Sequence, residues 1–170
     1  MRLANIGNCR LHRLYNFWDS RRLADGRPMP RSALDPVALG PILTNVLLIE
    51  VAETAQQDYL PMMRFRVAGD EIESRYGRSL RGAALHETFP LVRRADTSHQ
   101  WSEIVRDGRP KYRRGPMEFP DNRTFEAERL LLPLSCGERD TAFILGAIFY
   151  LPMPPDWKEN DTFACTLDGR

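Results

Sequence analysis

"FRVAGDEIESRYGRSLRG", residues 65–82, changes its periodicity partway along, and that change sets the kind of domain the chain can form. At its start, Met63, Phe65 and Val67 alternate with Arg64, Arg66 and Ala68, the period of two of a strand with one buried face. After Gly69 the spacing turns helical, with Ile72 and Tyr76 four apart on one short helix. Gly77 stands where such a helix would end in a left-handed residue, and Gly82 frees a second tight corner. Between them Arg78, Ser79 and Arg81 combine positive charge with a turn whose N–H groups can form an anion nest. Two readings follow: an anion or acidic-partner site at Arg78 and Arg81, or a helix terminus with surface arginines. The second is the plainer one.

Upstream, "TNVLLIEVAE" (44–53) is rich in β-branched and aliphatic residues and pairs naturally with 59–69 as a hairpin, turning at 56–58. Further upstream, "RLHRLYNFWDSRR" (10–22) puts Leu11, Leu14, Tyr15 and Trp18 on one helical stripe, stopped by Gly26 and the prolines at 28 and 30. Asp35–Pro36 reads as the start of a brief helix, since Asp caps orphan N–H groups and Pro fits the first turn; Pro41 limits it. Downstream, Thr97 and Gln100 fit a capping box that opens a helix with Trp101, Ile104 and Val105 on one face, closed at Asp107–Gly108. Three strand patterns finish the series, Lys111–Phe119, Thr124–Ser135 and Thr141–Leu151, the last two joined by a hairpin loop at 136–140. The order of strand pair, helices and three strands predicts an α+β domain on one antiparallel sheet. The boundaries expected are a helix with a basic leader over 1–36, the domain over 37–151 and a flexible tail over 152–170.

The 170 residues are 42 % hydrophobic and 28 % charged, a globular balance. No apolar run reaches the ~18 residues of a membrane span. Residues 1–31 hold seven arginines against two aspartates, +5, which leaves −4 for the rest of a chain of net charge +1. Such a leader fits a solvated helix face better than a nucleic-acid contact. Cys9, Cys136 and Cys165 share no metal-like spacing and their odd number argues against a disulfide framework, which points to the cytoplasm. Phosphate-loop and dinucleotide fingerprints are missing, and "GRSLRG" lacks the spacing of a nucleophile elbow. His12, His86 and His99 lie far apart, and His86–Glu87 is too little for a metal, so no metal site is expected. Glu126 and Glu128 share one strand face and are expected to be exposed rather than to do acid–base work. Tyr76 and Trp101 should face the sheet, with His86 at the rim, as core or as the wall of a pocket.

Together these segments resemble a family of small bacterial PAS-domain proteins. The likeness spans about residues 11–151. Trp18, Gly26, Arg27, Pro30, Arg31, Asp35 and Pro36 carry its first part. Phe65, Arg66, Gly69, Ile72, Tyr76, Gly77, Arg78, Leu80 and Gly82 carry its second, and "ERLLLPLS" (128–135) its third. The resemblance implies a five-stranded antiparallel sheet of order 2-1-5-4-3, cupped around short helices. It also implies a non-catalytic sensory or regulatory module in signal transduction that binds a small ligand and contacts a signalling protein or a second copy. The alternative is a ligand-free dimerisation or adaptor module. The ligand wall would be Tyr76, His86 and Trp101. Leu11, Leu14, Tyr15 and Trp18 would form a dimer or partner helix, needing cover from the sheet or another copy. The resemblance names no cofactor: Cys136 sits in a hairpin, and His86 and His99 match a haem ligand only by analogy.

Overall fold

The computed structural model describes residues 6–52, 62–90, 94–152 and 163–166. The turn expected at 56–58 lies outside them. Strands β1 (Val46–Val51), β2 (Met63–Ala68), β3 (Lys111–Glu118), β4 (Thr124–Cys136), β5 (Arg139–Leu151) and β6 (Phe163–Thr166) form one antiparallel sheet in the order β2-β1-β5-β4-β3-β6. The five-stranded order 2-1-5-4-3 is therefore present. A sixth strand lies beside β3, inside the 152–170 stretch whose prolines read as a tail. Turn chemistry sets the long central hairpin: Gly137, at φ 60°, takes the first of the two loop residues between Cys136 and Arg139, as a type II′ turn requires.

Helices cover both faces. On one face, α1 (Cys9–Asp19) starts at Asn8, whose side chain accepts the Arg10 N–H at 2.9 Å. It lays Leu11, Leu14, Tyr15 and Trp18 on Leu130, Leu132, Leu134, Leu145 and Ala147. The Trp18 indole N–H donates to the Pro133 carbonyl at 2.7 Å. The chain then runs along the end of β4, where the Ser135 N–H donates to the Met29 carbonyl and the Ser135 hydroxyl to the Pro28 carbonyl, each at 3.0 Å. On the other face, α2 (Asp70–Tyr76), a 3₁₀ turn (Leu85–Thr88) and α3 (Arg94–Asp107) cover Leu47, Ile49, Phe65, Leu131, Ile144 and Ile148. This second face is the cup.

Several expectations change. Val67 does not share the buried face of Met63 and Phe65. A bulge in the β1–β2 pairing sets Leu48 against Val67 and Ile49 against Phe65, so Arg66 is the extra residue and the alternation slips. Ala68 then packs into the cup and Val67 is outside. The Asp35 carboxylate caps Val37 at 2.9 Å, but it opens turns and then a 3₁₀ helix over Gly40–Asn45 rather than an α-helix. The helix expected to start at Thr97 is already under way at Arg94. α1 ends at Asp19, where the Ser20 N–H bonds back to the Asn16 carbonyl, before the glycine and prolines.

Candidate functional site

Strand alternation distributes the polar residues between the faces. Along β4, Ala127 and Leu131 belong to the cup and Leu130, Leu132 and Leu134 to the α1 side. Glu126 and Glu128 fall on the α1 side and Arg129 in the cup.

The glutamates are not on an exposed face. They are 7 % and 5 % accessible, and the residues just before α1 lie against Glu128, with Gly7 beside Oε1 and the Asn8 N–H on its carboxylate. The Arg114 guanidinium meets Glu126 Oε1 at 2.5 Å and Glu128 Oε1 at 3.9 Å. Burial pushes the Glu128 carboxyl above its usual range, and Glu126 adds to this; Arg114 and the Asn8 N–H pull the other way. Glu128 Oε2 is buried without a hydrogen-bond partner.

The anion nest exists, and the chain fills it itself. Gly77 and Gly82 adopt φ 63° and 80°, the two corners expected of them. In the loop between, Glu73 Oε1 accepts the Leu80 N–H at 2.7 Å and the Ser79 hydroxyl at 2.8 Å. These bonds, the Leu80 N–H first, hold the Glu73 carboxyl below its usual range. Arg78 and Arg81 are left exposed on the outside of an occupied turn.

The stripe of Leu11, Leu14, Tyr15 and Trp18 is buried by the chain's own sheet. These four side chains have no surface left for a second copy. His86 is exposed, because Leu85 and Thr88 take the inward positions of its 3₁₀ turn. It stands apart from Tyr76 and Trp101, which do meet the cup. His12 is half-buried, and His99 is exposed on α3. Among the described residues no three His, Cys, Asp or Glu side chains gather at one point.

What sequence reasoning missed is the polar end of the cup. Tyr76, Phe119, Phe125 and Tyr150 form an aromatic group with ring centroids 4.8 to 6.3 Å apart. Arg75 lies 4.4 Å over the Phe125 ring and 5.1 Å over Tyr150. Arg129 lies 5.3 Å over the Trp101 ring. Burial first, and then Arg113, lower the Arg129 guanidinium to about 10, so it is still charged at neutral pH. Burial raises Tyr76 to about 12 and drives Tyr150 higher still, so both keep their protons. The signal was present in "ERLLLPLS": an arginine at the inward phase of a strand, between Ala127 and Leu131.

A family model described as "PAS domain" matches residues 8–149. No curated protein matches the chain. Among solved structures, a single-residue variant of RsLOV aligns over 88 % of this chain and 72 % of its own, at 11 % identity and a TM-score of 0.48. The LOV protein of Rhodobacter sphaeroides aligns over 69 % of each chain, at 13 % identity and a TM-score of 0.48.

Proposed function

The chain belongs to the PAS-domain family, a family of sensory and signalling modules, and we propose that it is a non-catalytic regulatory module which binds a small ligand in the cup and passes its state on by protein contact. The observation that carries this reading is the cup's lining. An aliphatic floor of Ile144, Ile148 and Leu131 adjoins Tyr76, Trp101 and Tyr150, and Trp101 Nε1 and Tyr150 Oη are buried there without hydrogen-bond partners among the described residues. A pure packing core satisfies such groups; a binding site leaves them for the ligand. Native mass spectrometry of protein purified under mild conditions tests this, with an absorption spectrum of the same sample to identify any coloured cofactor. A bound small molecule released on unfolding is expected, and Trp101→Ala lowers its retention. Protein that is free of ligand and gains no thermal stability from any member of a metabolite panel would overturn the reading.

The adaptor reading, in which contact is the whole function, is favoured by a separate observation. Apolar side chains remain exposed: Val67 on the edge strand β2, Met62 just before it, Leu43 beside Gly69 at its far end, and Val37 (86 % exposed). With the α1 stripe covered, contact with a signalling protein or a second copy falls to this surface. Light scattering of Val67→Asp and Leu43→Asp separates the cases: a smaller species than the parent places a homodimer here, and an unchanged mass removes it. Exposed Cys9 and Cys136, both free thiols, suit a reducing cytoplasm.

A further inference from the structure

Arg129 is a half-buried cation on the cup face, with no anion beside it among the described residues. It faces Arg113 directly across the β3–β4 pair. Like charges placed opposite each other on one sheet face repel. Arg113 is engaged, donating to Gln100 Oε1 at 2.6 Å. Among the described residues no carboxylate pairs with Arg129, and its one close partner is the face of Trp101. The charges that act on it are those of Arg113, Tyr76 and Tyr150. Its neighbour on β5 is Ile148, which makes Tyr150 the diagonal neighbour on the same face, about 7–8 Å away between backbones.

The polar groups here can all donate, and only the tyrosine hydroxyls can also accept. Arg129 offers five N–H bonds and no acceptor, and the Trp101 indole N–H can only donate. The buried Tyr150 hydroxyl is neutral and has no hydrogen-bond partner among the described residues. Most nearby carboxylates are used elsewhere: Glu126 and Glu128 lie on the other side of the sheet with Arg114, Glu73 closes its own loop, and Glu103 and Asp107 pair with Lys111. Glu71, whose charge reaches Tyr150, is exposed on α2 and is not among the charges that act on Arg129. A half-buried guanidinium beside two buried donors that are unpaired among the described residues favours an anion with planar oxygens, which can accept from all three. The rest of the cup is aliphatic and aromatic, which suits an apolar body behind that head group.

We infer that the ligand of the cup is a small organic carboxylate, its head group held by Arg129 with the Tyr150 hydroxyl and the Trp101 indole N–H, and its apolar body lying on Ile144, Ile148 and Leu131. This rests on the cup being the ligand site, and adds the chemical class.

The test uses the full chain and matched pairs, benzoate against benzyl alcohol and 3-phenylpropionate against 3-phenylpropanol, by isothermal titration and thermal shift, with inorganic phosphate as a third arm. The acids are expected to bind at least tenfold tighter than the alcohols, Arg129→Gln to erase that preference, Arg129→Lys to keep part of it, and Tyr150→Phe to weaken the acids several-fold. Acids and alcohols binding equally would overturn the carboxylate while leaving the cup as a ligand site. Phosphate binding in place of the organic acids would overturn the organic ligand, and a preference that survives Arg129→Gln would overturn the role of Arg129. Binding by none of them counts against both readings. Ligand-free protein gives a separate measure, because the half-buried Arg129 stands opposite Arg113 with no anion beside it among the described residues: Arg129→Met is expected to hold or raise the melting temperature. A fall would mark Arg129 as a structural prop of Trp101 and overturn the inference.

Discussion

Gly69 shows how little room one residue can have. A Cβ there would sit 2.3 Å from the carbonyl oxygens of Leu43 and Thr44, backbone atoms that cannot swing aside. Gly69→Ala should therefore cost about 3 kcal/mol, as overpacking does, measured by urea unfolding. Gly77→Ala meets no neighbour and pays only for its left-handed backbone, about 1 kcal/mol. Reversal of that order would show that the close approach at Gly69 is wrong. The glutamates give a prediction of opposite kind. Glu128 has a folded-state pKa above its ordinary 4.5. Its contribution is thus favourable below about pH 4.5 and is lost as pH rises through the raised value. Glu128→Gln is expected to stabilise the protein at pH 7 and to flatten the stability profile above pH 4.5. An unchanged profile would place the Glu128 charge in water. Neither residue was legible in full from sequence. The glycine is recognisable as a corner, but its clash partners, Leu43 and Thr44, are distant in sequence, and the alternation that puts the glutamates on one face does not show that the residues before α1 lie against Glu128.

Elements declare themselves more readily, because periodicity and end signals are local. Strands β1 to β5, the stripe of α1, the turn of α2 and its glycine stop were all readable. The β2 bulge was not, since it depends on which β1 residue lies opposite. The capping-box pattern at Thr97 falls inside α3, which is already under way at Arg94. The loop after α2 was understood only by halves: its donors were visible, but its anion, Glu73, was overlooked because the carboxylate comes from the preceding helix. Glu73→Gln should lower stability at pH 7 by about 1 kcal/mol, a charge-assisted bond discounted for its partial exposure. Glu73 is held below its ordinary 4.5, so its contribution is present above that pH and fades as pH falls through the lowered value. The variant and parent should therefore converge in acid. A deficit that persists at the lowest pH would assign the loss to packing instead of charge.

At the scale of the molecule, the sheet is one wall with two occupied faces. Leu130, Leu132, Leu145 and Ala147 hold α1 while their strand neighbours Leu131, Ile144 and Ile148 line the cup. Neither face can open without stripping the same strands, so α1 is part of the core and not a detachable leader. A ligand in the cup and a contact on the α1 side would then be linked through the strands themselves, because a shift of β4 or β5 moves side chains on both faces together. Trp18 and Trp101 report on the two faces separately, once the third tryptophan is removed by Trp157→Phe. In two such proteins, one also carrying Trp18→Phe and the other Trp101→Phe, urea unfolding followed by fluorescence should give the same midpoint as circular dichroism of the same variant. Trp18→Phe should itself lower the unfolding free energy by about 1–3 kcal/mol, and the midpoint with it, since it leaves the Pro133 carbonyl without its buried donor. Trp18 fluorescence changing at lower urea than the sheet would show that α1 unlatches first. That result would remove α1 from the shared core and restore its stripe as a surface available to a partner.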